Sequence, residues 1–304
     1  METPILFIIY NRPEPTREVF ASIRAMKPKR LFIAADGPRS AQQGEVGCCL
    51  AARRVTENID WPCEIFRKYE EKNLGCRVGV SSAINWFFDN VEQGIILEDD
   101  CLPSRSFFYF CEELLARYAD EERAMMISGN NFIPDPIAAK FSYRFSNYAH
   151  IWGWATWRRA WQKYDQRMVS YPQFKKENLI SNICSNKKEA TYWVKLFDRV
   201  YDGKIDTWDA QWQYSIFKEN GWCVVPKVNL VSNIGFGADA THTKIATAHS
   251  RLPILEMGQL AHPPNIARDV EADRREMVAI IPTSQQKMIN ILRTIYGHLQ
   301  HLPK

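Results

Sequence analysis

The sequence predicts an α/β fold: a mainly parallel sheet flanked by helices, with a mixed part toward the C-terminus. Two observations lead to this class. Over roughly the first 130 residues, short apolar runs alternate with longer segments whose apolar residues recur at helical spacing. Polar and acidic residues also follow several of these runs directly. Strands that alternate with helices form parallel sheets covered on both faces, and the 46% hydrophobic content can fill such a core.

Five apolar runs in the first half predict buried strands, because each run is short and continuous rather than alternating. They cover residues 5–10, 30–35, 64–67, 94–97 and 124–127. The segments between them predict helices at residues 45–58, 78–88 and 104–118, after a first helix whose apolar face holds Val19, Phe20, Ile23 and Met26.

The second half loses this alternation. Residues 131–148 are expected to form a loop because they contain Pro134 and Pro136, and a helix is expected to begin at about Thr156. Later elements are helices at 187–201 and 209–220, a strand at 222–226, a glycine loop at 235–237 and a terminal amphipathic helix at 285–299. Without a low-complexity linker we expect one continuous globule, softly divided into residues 1–130, 131–250 and 251–304.

Composition excludes several classes of protein. A formal net charge of +4 is too balanced for nucleic acid to be the main partner. No apolar run reaches the roughly 18–20 residues of a membrane span, and the N-terminus lacks the basic flank of a secretion signal. The eight cysteines contain no CxxC pair, which argues against a zinc site. We expect a reduced, cytoplasmic protein; the terminal helix leaves open a peripheral contact with the inner face of the cell membrane, or a homodimer.

The most informative segment is the acidic triplet Glu98-Asp99-Asp100, which comes directly after the predicted strand at 94–97. Ligands of open α/β sheets bind outside the carboxyl ends of the strands, and Mg²⁺ or Mn²⁺ takes carboxylate and phosphate oxygens together. The triplet therefore indicates a metal-bridged phosphate site, or, in the simpler interpretation, a solvated acidic turn before the next helix. The chain has neither a GxxxxGK[ST] loop nor a GxGxxG motif, which leaves a nucleotide held by a carboxylate-bound metal, and nucleotide-sugars fit that description.

Other predicted strand ends supply further candidates for the same edge. Asn11 and Arg12 follow the first strand, and Asp36 follows the second. An aspartate or an asparagine can hydrogen-bond a nucleobase, whereas an arginine can bind phosphate through two hydrogen bonds. Arg77, near the start of a predicted helix, could meet a diphosphate. Asn11 and Asp36 could equally be turn or cap residues, so the prediction depends on their convergence.

These segments resemble the GT-A glycosyltransferase fold and, more narrowly, bacterial relatives of the N-acetylglucosaminyltransferase I family. The resemblance is carried by residues 8–14, Asp36-Gly37, residues 73–75, 96–100, 152–154, 207–212 and 233–237. It implies an inverting transferase that uses a nucleotide-sugar, with a UDP-sugar as the expected donor, and Mn²⁺ or Mg²⁺. Asp100 would ligate the metal, while Asp99 and Glu98 would hold the ribose and the sugar. Residues 1–130 would bind the donor and residues 131–250 the acceptor.

The same resemblance implies that Asp209, within a tryptophan-flanked segment, is the catalytic base. The match is imperfect, since the family pattern has two adjacent acids where this chain has Asp209-Ala210-Gln211, and Asp206 is the alternative base. His242 is the implied second contact to the metal or the diphosphate.

Tryptophan is unevenly placed: eight of the ten lie between Trp152 and Trp222. Since aromatic faces stack on sugar rings, Trp152, Trp154 and Trp208 are candidates for the acceptor site, although any one of them could be a core residue. The acceptor would be a hydroxyl of a glycan or lipid-linked glycan in bacterial surface polysaccharide biosynthesis. A sugar-nucleotidyltransferase and a non-catalytic carbohydrate-binding protein of the same fold are the alternatives.

Overall fold

The computed structural model describes residues 1–134, 140–235 and 252–281. Its strands are β1 Ile5–Ile9, β2 Arg30–Ala35, β3 Glu64–Tyr69, β4 Gln93–Glu98, β5 Cys101–Pro103, β6 Ala124–Ser128, β7 Tyr143–Ser146, β8 Trp154–Trp157, β9 Trp222–Pro226 and β10 Val231–Asn233. Its helices are α1 Pro13–Met26, α2 Glu45–Val55, α3 Gly75–Asn90, α4 Arg105–Arg117, α5 Arg158–Trp161, α6 Tyr171–Lys176, α7 Lys187–Tyr201, α8 Asp209–Lys218 and α9 Val270–Ile280, with a 3-10 turn at Leu179–Asn182.

Eight strands form one sheet in the order β3-β2-β1-β4-β8-β6-β9-β7. The pairs among β3, β2, β1 and β4 are parallel, as is the pair β6–β9, whereas β8 and β7 are antiparallel to their neighbours. The predicted α/β class with a mainly parallel sheet is therefore confirmed. The chain moves from β1 outward to β3 and returns to β4, and such a reversal leaves a crevice at the carboxyl ends of β1 and β4.

The apolar strands are buried on both faces, as their continuous hydrophobic runs predict. Along β1, Ile5, Phe7 and Ile9 pack in one hydrophobic core, and Leu6 packs in the core on the other face. The apolar stripe of α1 closes the first of these cores through residues such as Val19 and Ile23. This two-sided packing fixes β1 and β4 rigidly, and with them the residues that follow each strand.

Several predicted elements need correction. Residues 143–146, expected in a loop, form β7, and the helix expected from about Thr156 begins at Arg158, after β8. Thr156 instead lies in β8, where its side chain donates a hydrogen bond to the Met125 carbonyl. Pairing with distant strands determines the structure at both places, and no local sequence pattern indicates this pairing. The strands β5 and β10 and the helices α6 and α9 were not predicted.

One sheet crosses the expected boundary near residue 130, because β8 pairs with β4 on one side and with β6 on the other. The predicted terminal helix at 285–299 and residues 236–237 of the glycine loop lie outside the described residues. Within the parts of the chain that the structure describes, no helix has both the length and the apolar character needed to span a membrane.

Candidate active site

A cavity of about 720 Å³ opens at the carboxyl edge of β1, β2 and β4. Its lining includes eight of the residues proposed from the sequence: Arg12, Asp36, Glu98, Asp99, Asp100, Trp152, Trp208 and Asp209. They come from segments far apart in the chain, and both expected halves contribute to the wall. The folded chain therefore brings together most of the groups expected to bind donor and acceptor.

Arg12 bridges two carboxylates of the acidic triplet. Strands β1 and β4 are paired with Ile8 opposite Glu98, so the residues after both strands come side by side. The Arg12 guanidinium donates to Asp100 Oδ2 at 2.9 Å through Nη1 and to Asp99 Oδ1 through Nη2. Asp99 Oδ2 accepts the Tyr10 backbone N–H at 3.1 Å. Both oxygens of Asp99 are thus engaged by the protein.

The triplet carries more negative charge than Arg12 offsets. Burial, together with the neighbouring charges of Asp100 and Asp99, raises the pKa of Glu98 to about 8. Burial also raises the pKa of Asp99 to about 6, against the opposing effect of Arg12. No donor within the described residues hydrogen-bonds the Glu98 carboxylate. A site of this kind favours a ligand that brings positive charge or hydrogen-bond donors.

Asp36 is tied to the loop that precedes α3. Its Oδ1 accepts the N–H groups of Gly37 at 2.8 Å and Leu74 at 2.9 Å, and its Oδ2 accepts Asn73 Nδ2 at 2.9 Å. Burial raises the pKa of Asp36, in opposition to these hydrogen bonds. Asp36 therefore shapes this end of the cavity as well as lining it.

The start of α8 forms another part of the cavity lining. Asp209 Oδ1 accepts hydrogen bonds from the Thr207 hydroxyl and, at 2.8 Å, from the Ala210 N–H. Within the described residues no donor reaches Asp209 Oδ2. Cys76 also lines the cavity. Burial raises the pKa of its thiol, and the charges of Glu98 and Asp209 add to this effect. Asp209 is thus a fixed carboxylate that keeps one oxygen for a ligand.

The three candidate tryptophans occupy different environments. Trp152 is half-buried and lines the cavity. Trp208 also lines it but is only 2% exposed. Trp154 is fully buried behind Trp208, with their rings stacked at 5.6 Å between centroids. Trp152 therefore presents the most open aromatic surface of the three.

Three other predicted site residues are not among the cavity lining. Asn11 donates to Glu45 Oε1 at 2.8 Å, Arg77 donates to the Ile205 carbonyl at 2.7 Å, and Trp154 lies in the core. His242 lies outside the described residues.

Three lining residues, Arg39, Lys68 and Glu70, were not expected from the sequence. Tyr10, Asn73, Cys76, Asn233 and Gly235 also line the cavity, and they lie in or beside segments that carry the resemblance, although none was proposed as a site residue. Lys68 and Glu70 lie at the end of β3, so extending the strand-end argument to the third strand would have found them. Gly235 packs against the Arg12–Asp100 pair so closely that a Cβ atom would overlap both side chains. Glycine at this position is therefore a requirement of the site itself.

The carboxylates of the site could supply part of the oxygen ligands that a divalent cation needs. Across residues 1–134, 140–235 and 252–281, no three His, Cys, Asp or Glu side chains come together as a protein metal cage. Mg²⁺ in nucleotide sites, however, takes only one or two carboxylates and completes its shell with phosphate oxygens and water. Asp100 fits that role, because among the described residues its Oδ1 accepts only the weak Cys101 thiol donor, at 3.5 Å. The residues present thus fit a cation that arrives with a diphosphate.

No protein-family model matches the chain, and no curated protein matches it. Similar solved structures include S. aureus TarS 1–349, with 11% identity and a TM-score of 0.31 over 52% of this chain and 47% of that chain. They also include HddC from Yersinia pseudotuberculosis, with 7% identity and a TM-score of 0.32 over 52% of this chain and 77% of that chain. The chain spans about half the length of the TarS structure.

Proposed function

We propose that this protein is an inverting glycosyltransferase that moves a sugar from a nucleotide-sugar, with a UDP-sugar as the expected donor, to an acceptor hydroxyl. The observation that carries the proposal is that two separate acidic groups line one cavity. The over-charged triplet with Arg12 lines this cavity together with Asp209, whose Oδ2 meets no donor among the described residues. A cavity of about 720 Å³ suits a ligand of nucleotide-sugar size.

The donor would bind at the carboxyl edge of β1, β2 and β4. Arg12 offers a guanidinium to the diphosphate, in place of one of its present carboxylate contacts. Asp36 and the loop it holds lie at the nucleoside end. Asp100 would hold Mn²⁺ or Mg²⁺, which when bound would neutralise charge on the departing diphosphate. Glu98, with its raised pKa, can donate a hydrogen bond to a sugar hydroxyl when it is protonated.

Asp209 would act as the general base. Its Oδ1 is held by Thr207 and by the Ala210 N–H, so Oδ2 is the oxygen that can accept the proton of an acceptor hydroxyl. That hydroxyl would attack the anomeric carbon from the face opposite the diphosphate, which inverts the configuration in a single displacement. Trp152 would stack on the acceptor, a glycan or lipid-linked glycan, and Trp208, which also lines the cavity, would offer a second, smaller aromatic surface.

The proposal is tested by incubating the protein with a panel of nucleotide-sugars, with Mn²⁺ or Mg²⁺, and measuring transfer or hydrolysis. We expect turnover of one donor, and binding of that donor to Asp209→Asn with turnover reduced at least about 100-fold. Pyrophosphate release from a nucleoside triphosphate and a sugar phosphate would overturn the proposal in favour of a nucleotidyltransferase. Binding of a sugar ligand without turnover of any donor would favour a carbohydrate-binding protein. Full activity of Asp100→Ala in the presence of saturating chelator would refute the proposed metal dependence.

A further inference from the structure

The start of α3 lacks a cap from its own sequence. Gly75 has φ +81° and Leu74 at the cap position makes no side-chain hydrogen bond, so the first N–H groups of the helix need an acceptor from elsewhere. Asp206 provides it from 130 residues away: Oδ2 accepts the Cys76 N–H at 3.0 Å and Oδ1 accepts the Arg77 N–H at 3.3 Å. A Cβ atom on Gly75 would lie 2.8 Å from Asp206 Oδ2, so the left-handed glycine also makes room for this carboxylate.

A second tie runs in the opposite direction. Arg77 Nη2 donates to the Ile205 carbonyl at 2.7 Å, and its Nε lies 3.9 Å from Asp206 Oδ1. The N–H groups of α3 thus bind a side chain of the 205–206 segment, and a side chain of α3 binds the backbone of that segment. We name this pair of ties the Asp206–Arg77 clasp.

The clasp lies immediately before the proposed base. Ile205, Asp206 and Thr207 line the cavity, and Thr207 donates to Asp209 Oδ1 at the start of α8. The segment between the clasp and α8 is only two residues long. A shift of Asp206 away from α3 would therefore move Thr207 and, through it, the Asp209 carboxylate.

We infer that Asp206 and Arg77 are positioning residues that hold Asp209 against the donor side of the cavity; this inference rests on the proposed function. It gives Arg77 a different role from the diphosphate contact expected from the sequence, because its guanidinium donates through Nη2 to the Ile205 carbonyl. The inference also distinguishes between the two candidate bases, Asp206 and Asp209. Both oxygens of Asp206 already accept amide hydrogens, whereas Asp209 keeps one oxygen for the acceptor.

The test is a double-mutant cycle on sugar transfer. Asp206→Ala should lower kcat about 10- to 100-fold with the donor KM nearly unchanged, since it misplaces a base without touching the donor. Asp206→Asn, which keeps an acceptor oxygen, should recover part of the loss. In an Asp209→Asn background Asp206→Ala should cost little more, because the base it positions is already gone. Full additivity of the two changes would overturn the inference.

Asp202→Ala is the matched control, because it breaks the exposed Asp202–Lys204 pair in the same loop and leaves the clasp intact. Hydrogen exchange supplies a readout that needs no activity: the Cys76 and Arg77 amides should exchange faster in Asp206→Ala and not in Asp202→Ala. Unchanged exchange would overturn the clasp itself. Absence of wild-type transfer, with the exchange result as expected, would overturn the proposed function and with it the positioning role, leaving the clasp as a structural tie.

Discussion

Two clusters of acidic side chains, each paired with arginine, invite comparison. The site cluster consists of Glu98, Asp99 and Asp100 with Arg12, at the rim of the cavity. The α9 cluster joins Asp273 and Glu276 to three basic side chains: Arg144, Arg268 and His150. The first sets three carboxylates against one guanidinium, whereas the second sets two carboxylates against two guanidinium groups and an imidazole.

The pKa directions follow this difference. Burial and like charge raise the pKa of Glu98 to about 8. Burial would also raise the pKa of Glu276, but His150 and Arg144 outweigh it, so that its pKa is lowered. A buried carboxylate that the protein itself neutralises contributes to the fold. Negative charge that the protein leaves uncompensated favours the binding of a ligand. The α9 cluster thereby fastens residues 270–280 onto β7 and the segment that leads to Trp152.

The largest expected effect is on catalysis, in the site cluster. Asp100→Asn should lower transfer about 100- to 1,000-fold, because it weakens the stabilisation of charge on the leaving diphosphate. The free energy of unfolding without ligand should stay the same or rise, since one of three crowded charges is removed. Steady-state kinetics and urea unfolding on the same preparation measure both quantities. A loss of stability that parallels the loss of activity would make this cluster structural.

The α9 cluster should respond in the opposite way. Glu276→Ala should lower the free energy of unfolding by about 3 kcal/mol, because it leaves Arg144 and His150 buried with less compensation. Glu271→Ala, which breaks an exposed pair with Arg274 on the same helix, should leave stability unchanged within error. Urea unfolding measures the difference, and equal effects of the two variants would refute it.

The contrast also shows what a sequence can reveal. The acidic triplet and Arg12 each follow an apolar run directly, and parallel strands bring such positions to one edge, so their meeting was predictable. The ranges of β2, α7 and β9 were likewise predicted to the residue, because local pattern decides them. The placement of Asp209 on the cavity wall agrees with the resemblance, while its role stays a prediction.

What the sequence could not reveal depends on contacts between distant residues. Asp206 caps α3 from 130 residues away, and β8 inserts between β4 and β6 by pairing that leaves no local periodicity. The rings of Trp154 and Trp208 stack on each other, yet Trp154 is a core residue and Trp208 reaches the cavity. Which face of a segment meets a distant partner is a tertiary property, and side-chain type alone does not encode it.

A smaller effect on stability is expected at Glu98. Glu98→Gln should raise the free energy of unfolding at pH 7.5 by about 1 kcal/mol, since folding of the wild type at this pH must either protonate Glu98 or bury its charge, and glutamine avoids both costs. Glu92→Gln, an exposed change just before β4, should have no measurable effect. Urea unfolding of both variants beside the wild type gives the answer. A destabilised Glu98→Gln would mean that the site cluster is compensated after all.

The smallest effect concerns acid stability, and its sign is set by the lowered pKa of Glu276. A carboxylate whose pKa is lower in the folded than in the unfolded state stabilises the fold above its ordinary value of 4.5 and loses that contribution as pH falls through the folded pKa. Unfolding free energies measured from pH 7 down to pH 3 should therefore fall more steeply for the wild type than for Glu276→Gln. The gap between the two proteins should narrow below about pH 4.5, because a protonated Glu276 and a glutamine leave Arg144 equally uncompensated. A gap that stays constant with pH would show that the glutamate acts through its shape and not through its charge.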